Sequence, residues 1–283
     1  MDRTTGTFQG PREVELFYQV WQTDEYPKAV VIILHGVGEH SGRYLNLVVP
    51  LTESGYAVYG YDHLGCGHSP GQRGHIHSWD DFRSGLRGML QLARTSYPDL
   101  PVYLFGHSMG ALILLDYVQN ANLHANGAIF SGTPIEPAGV GTPAKEFIAK
   151  LLSNIWPSFQ VNLGLDPASL SRDPQVIQAY RDDPLVQPFV TARWGAEAMS
   201  INKSTANKPG SVQMPVLFIH GSQDPLNLLS GVQRFFEQIP FDDKQILTYE
   251  GSLHEPHNDL EHNRVAEDLV SWLDAHLPVQ EVS

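Results

Sequence analysis

Cysteine is almost missing from this 283-residue chain: Cys66 is the only one. No intrachain disulfide can form, and a Cys-rich metal site is excluded. Long hydrophobic runs are also missing, so no stretch spans a bilayer as a helix. The first residues, MDRTTGTFQGPREVELF, lack the apolar core of a secretory signal, and the expectation is a cytoplasmic protein. Positive charge is scarce, with 18 Lys and Arg against 31 Asp and Glu, a formal net charge of -13. No Lys/Arg run offsets that balance, so nucleic acid is not an expected partner. Anionic lipid headgroups are repelled too, and any membrane contact has to be apolar. Internal repeats and low-complexity segments are lacking.

What remains is an ordinary globular composition, 42% apolar and 17% charged, long enough for one large domain with an insertion. Glu15–Trp21 alternates and reads as an early antiparallel strand. AVVIIL (Ala29–Leu34) is continuously apolar, as a strand buried on both faces should be. A helix from about Ser41 to Ser54 follows, then a strand over Tyr56–Tyr61, a glycine-rich loop to Ser69, and a helix over Trp79–Tyr97. Strands at Val102–Phe105 and Gly127–Ser131 bracket another helix. Such alternation builds a largely parallel sheet flanked by helices, an α/β fold. After Thr133-Pro134 the rhythm stops, and no buried strand is evident until Pro215–Ile219. A helix near Ser230–Gln238, a strand at Gln245–Tyr249 and a last helix, opened by an Asn258/Glu261 capping box, complete the chain. The division is therefore a core from residues 1–133 and 214–283, with a helical cap from 134–213.

The chemistry centres on Gly106-His107-Ser108-Met109-Gly110, a G-x-S-x-G set between a strand and a helix. Side chains two residues from the serine would collide in so tight a turn, and both positions are glycine. Ser108 is the expected nucleophile. A hydroxyl needs a base, and the base needs an acid to orient it. Asp224, after the strand ending at Ile219, and His254, after the strand ending at Tyr249, follow in the required chain order at the same sheet edge. His257 is the nearest competitor for the base. Donors for a tetrahedral oxyanion are expected from the backbone N–H groups of Met109 and Val37, the latter in the loop His35-Gly36-Val37-Gly38. Glu39 and Arg43, four apart, either shape the site from below or form a surface pair.

HGVGEHSGRY (His35–Tyr44), YDHLGCGHS (Tyr61–Ser69), GHSMGA (Gly106–Ala111), HGSQDPL (His220–Leu226) and GSLHEPHND (Gly251–Asp259) resemble the monoacylglycerol lipase group of α/β-hydrolases, allied to the serine aminopeptidase family. LSRDPQVIQAYRDDPLV (Leu170–Val186), in the cap, is similar as well. The resemblance implies an α/β-hydrolase fold and a serine ester hydrolase that cleaves monoacylglycerols through an acyl-enzyme, without cofactor or metal. It implies Ser108, Asp224 and His254 as triad and Val37 and Met109 as oxyanion donors. It further implies a mobile cap whose apolar face touches lipid interfaces. One departure is Asn227-Leu228-Leu229, where a more polar pocket rim is expected. Phe147, Leu151, Leu152, Ile155, Trp156 and Phe159 either form an acyl-chain channel and lid or pack the cap on the core; an exposed apolar patch separates the two. A lysophospholipase or general carboxylesterase is the alternative within the class. A non-hydrolytic enzyme or a binding protein on the same fold is more distant.

Overall fold

The computed structural model describes residues 1–120, 125–138 and 143–278. Strands β1 (Asp2–Gln9) and β2 (Glu15–Gln22) form an antiparallel ribbon at one end of the sheet. Then come β3 (Ala29–Leu34), α1 (Leu45–Glu53), β4 (Tyr56–Tyr61), α2 (Asp80–Ser96), β5 (Val102–His107), α3 (Met109–Asn120) and β6 (Gly127–Ser131). Between β6 and the next sheet strand lie α4 (Pro143–Ile155), β7 (Gln160–Asn162), α5 (Pro174–Asp182), β8 (Phe189–Thr191) and α6 (Ala192–Ala206). The chain rejoins the sheet with β9 (Val216–Gly221), α7 (Leu229–Glu237), β10 (Lys244–Tyr249) and α8 (His262–Ala275). The eight-stranded sheet runs β1-β2-β4-β3-β5-β6-β9-β10. From β4 to β10 every neighbouring pair is parallel.

Every residue of β3, β4, β5, β6 and β9 is buried, which is why these segments read as apolar runs up to the polar His107, Ser131 and His220 at the carboxyl ends of β5, β6 and β9. Alternate side chains serve two cores. Val30, Ile32 and Leu34 pack with Leu86 and Met89 of α2, Ile113 of α3 and Phe235 of α7. Val31 and Ile33 pack with Leu47 and Leu51 of α1 and Leu269 and Trp272 of α8. Fully burying each such aliphatic side chain contributes about 1.5–3 kcal/mol. Helices on both faces leave one set of places where loops converge: the carboxyl edge of the parallel strands.

Three local expectations differ from the structure. Strand β1 was not anticipated, because its residues are mostly exposed and carry little apolar pattern. The excursion between β6 and β9 holds a small antiparallel pair, β7 with β8, of three residues each, too short for alternation to register. The Asn258/Glu261 capping box is not formed. Glu261 precedes α8 without a side-chain cap, and the Asn258 amide is directed instead to Glu255 and the Arg43 carbonyl.

Candidate active site

Ser108 occupies the turn between β5 and α3 with φ +51, a left-handed conformation that a non-glycine residue holds at about 1–3 kcal/mol. The surroundings enforce it. The Ser108 N–H donates to the Ser131 carbonyl at 2.9 Å, and the Ser108 carbonyl accepts from the Leu112 N–H at 3.1 Å. A Cβ at Gly106 would lie 2.5 Å from the Gly110 carbonyl oxygen, so the turn itself excludes one. Gly110 has a different reason: a Cβ there would lie 2.1 Å from the Leu34 carbonyl oxygen. The two glycines therefore close the turn and seat it against the end of β3. Met109 begins α3, and its N–H belongs to the first turn, where a helix has no internal acceptor. The loop after β3 lies alongside, since a Cβ at Gly36, next to Val37, would stand 3.4 Å from the Ser108 Cβ.

His254 and Asp224 meet from separate loops. His254 Nδ1 lies 2.8 Å from Asp224 Oδ2. The other carboxylate oxygen accepts from the N–H groups of Leu226 (2.8 Å) and Asn227 (3.0 Å). Nδ1–H donating to the carboxylate leaves Nε2 as the free acceptor. Burial pushes the Asp224 carboxyl up, but the charge and hydrogen bond of His254, with His220 and the Asn227 N–H, hold it below the usual range. Burial likewise pulls the His254 imidazole down, yet Asp224, then Glu255 and Glu39, raise it above its ordinary value. The His254 ring packs 4.8 Å from that of His107, the residue before Ser108. It also faces Gly132, whose φ of +54 and missing Cβ leave room for it.

A model of the serine aminopeptidase S33 hydrolase family matches residues 25–261. The chain belongs to this family. A monoacylglycerol lipase of Mycolicibacterium smegmatis is 31% identical over 276 residues, covering 97% of this chain and 98% of that protein. The crystal structure of Paleococcus ferrophilus monoacylglycerol lipase superposes with a TM-score of 0.83 at 30% identity, over 93% of this chain and 99% of that one. A soluble variant of the Saccharomyces cerevisiae monoglyceride lipase, in complex with a substrate analog, gives 0.85 at 25% identity, over 95% and 94% of the two chains.

Further buried polar residues surround the His254–Asp224 pair. His257 is buried and stacked on Tyr44, with ring centroids 5.0 Å apart and planes at 8°. Neither of its ring nitrogens has a hydrogen-bond partner among the described residues, and burial lowers its pKa to about 4. Asn227 belongs to the support of the acid: its side chain donates to the Gly132 carbonyl at 2.7 Å and its N–H to Asp224. Glu39 and Arg43 are buried, so the surface-pair reading fails. Sequence reasoning gave no role to His107, His220 or Glu255, because a single buried polar residue carries no periodic signal.

Several apolar residues of α4 and of the turn after it are exposed. Phe147, Ile155 and Trp156 are 68%, 74% and 58% exposed, and Ile148, Leu151 and Phe159 are exposed as well. Leu152 is half-buried. Trp156 and Phe159 pack on each other with centroids 5.3 Å apart.

Proposed function

We propose that this hydrolase cleaves monoacylglycerols to a fatty acid and glycerol through an acyl-enzyme on Ser108. His254 Nε2 takes the serine proton as Oγ attacks the ester carbonyl. Asp224 orients the ring and stabilises the imidazolium that forms. The N–H groups of Val37 and Met109 receive the oxyanion. Collapse of the tetrahedral intermediate breaks the bond to the glycerol oxygen, which leaves with the proton held by His254. Water then repeats the sequence on the acyl-serine, releasing the fatty acid and restoring the free hydroxyl. The observation that carries this reading is the 2.8 Å His254–Asp224 contact, beside a serine held at positive φ. The named activities of the relatives support the choice of substrate.

Residues 134–213, on this reading, are a cap over the sheet edge. The exposed side chains Phe147, Leu151, Ile155, Trp156 and Phe159, with Leu152, meet lipid surfaces and admit the acyl chain. No helix among the described residues is long and apolar enough to cross a membrane. Association is therefore peripheral and apolar, because a net charge of -13 disfavours anionic headgroups.

Covalent labelling tests the reading. A fluorophosphonate probe should attach at Ser108 and at no other serine, and Ser108→Ala should abolish both labelling and ester turnover while folding normally. Labelling at Ser69 or Ser131 would overturn it.

A further inference from the structure

Beneath the proposed site lies a buried Glu–Arg–Glu cluster that spans two of its loops. Arg43 Nη1 lies 2.6 Å from Glu39 Oε2, and the same guanidinium grips Glu255 with two contacts of 2.9 Å. The three side chains are 8%, 4% and 3% exposed. Glu39 Oε1 accepts from the Gly36 N–H at 2.5 Å and from the Tyr44 hydroxyl at 2.7 Å. A Cβ at Gly36 would fall 2.6 Å from that oxygen, so the glycine makes room for the carboxylate. Glu255 directly follows His254, and its N–H donates to the Leu170 carbonyl of the cap segment at 2.8 Å. The Tyr180 ring of α5 covers the guanidinium at 4.7 Å.

Burying ions is costly, and an apolar trio of similar volume would often be as stable or more so. Stability alone therefore does not account for the cluster. Its charges do not cancel either: two carboxylates share one guanidinium, leaving one negative charge beside His254.

We propose that Glu39, Arg43 and Glu255 are positioning residues that pin the Gly36–Val37 backbone to the His254 loop and set a net negative charge beside its ring. The inference rests on the roles proposed above for Ser108, His254 and Val37. Groups facing His254 from other elements are Asp224 and His220 on the β9 side and His107 at the end of β5. Glu39 acts on it from the β3–α1 connection and His257 from its own loop, while Arg43, bonded to Glu39 and Glu255, acts on His107 and His257. Of these, Glu39 and Glu255 raise its pKa after Asp224 does. Arg43 holds Glu255 down at about 2, against the effect of its burial, so the Glu255 carboxylate stays charged where His254 titrates.

The test is the acid limb of the kcat/KM profile for p-nitrophenyl butyrate, measured on the full chain. Glu255→Gln removes a negative charge and should move the limb to lower pH. Arg43→Met removes the positive charge and should move it to higher pH, each by about half a unit or more. A structural role alone would not produce opposite shifts. Limbs that stay put, or that move the same way, overturn the proposal. Should Arg43→Met not fold by circular dichroism, Arg43→Lys serves. It keeps the charge but loses the bidentate grip, so kcat should fall about 10- to 100-fold with KM and the limb little changed. An Arg43→Lys enzyme with wild-type kcat contradicts the positioning role. Turnover surviving in Ser108→Ala or His254→Ala would refute the underlying reading. Both silent, with unmoved limbs in the network variants, would refute the network alone.

Discussion

The Asp224 carboxylate lies 2.8 Å from Nδ1 of His254, and that contact decides which ring nitrogen is free to act. A second histidine, His220, reaches the same carboxylate oxygen at 3.3 Å, but its Nε2–H donates to the Asn227 carbonyl at 2.8 Å. Burial lowers the His220 pKa, whereas that of His254 is raised. The carboxylate's charge acts on both rings, and its hydrogen bond is committed to His254.

A pH profile follows from that commitment. The base must be neutral, so kcat/KM should fall as pH drops through a His254 pKa above the ordinary value of about 6.5. Asp224→Asn should cost about 10⁴ in kcat by favouring the wrong tautomer, and should move the limb to lower pH. An unchanged limb in this variant would mean that another group is the base.

Acid stability should be set by histidines before carboxylates. His35, His63, His107, His220 and His257 all have pKa values lowered, first by burial. On acidification the unfolded chain takes up those protons near pH 6.5 while the folded chain refuses them. Stability is lost as pH falls from there, by up to about 1.4 kcal/mol per unit for each such histidine. His254, with a raised pKa, opposes this with the reverse sign. Urea midpoints at pH 7.5 and 5.5 should differ clearly, and His257→Phe should narrow the gap. Equal midpoints in the wild type would contradict the account.

The exposed face of α4 should govern lipid contact without touching the chemistry. Ile155→Glu and Phe147→Glu replace side chains that are 74% and 68% exposed, so folding should change by no more than about 0.5 kcal/mol. Both variants should lose co-sedimentation with phosphatidylcholine vesicles and lose turnover of long-chain monoacylglycerol more than that of p-nitrophenyl butyrate, whose short chain needs this face least. Unaltered sedimentation would remove this face from the interface.

The strands of the parallel sheet could be read directly, because burial on both faces leaves runs such as Ala29–Leu34 and Val102–Phe105 with no charged break. That Asp224 and His254 would lie at the same sheet edge as Ser108 was legible from chain order and from strand ends. What could not be read depends on distance across the fold. Gly110 serves the end of β3, more than seventy residues earlier, and nothing local says so. Arg43 looked like half of an i,i+4 surface pair because Glu255, which buries it, is 212 residues away. Asn258 looked like a helix cap because its partners in the Arg43 segment are equally distant in sequence.

The most direct measurement is kcat/KM on a panel of long-chain monoacylglycerol, triacylglycerol, lysophosphatidylcholine and an aminoacyl anilide. The proposed cap over Ser108 would leave room for one acyl chain and a small alcohol, and each buried CH₂ would add about 0.8 kcal/mol of binding. Monoacylglycerol should therefore give the highest value. Three chains should exclude triacylglycerol, and a choline headgroup should slow lysophosphatidylcholine. Equal rates on triacylglycerol, or a preference for lysophosphatidylcholine or the anilide, would contradict the account.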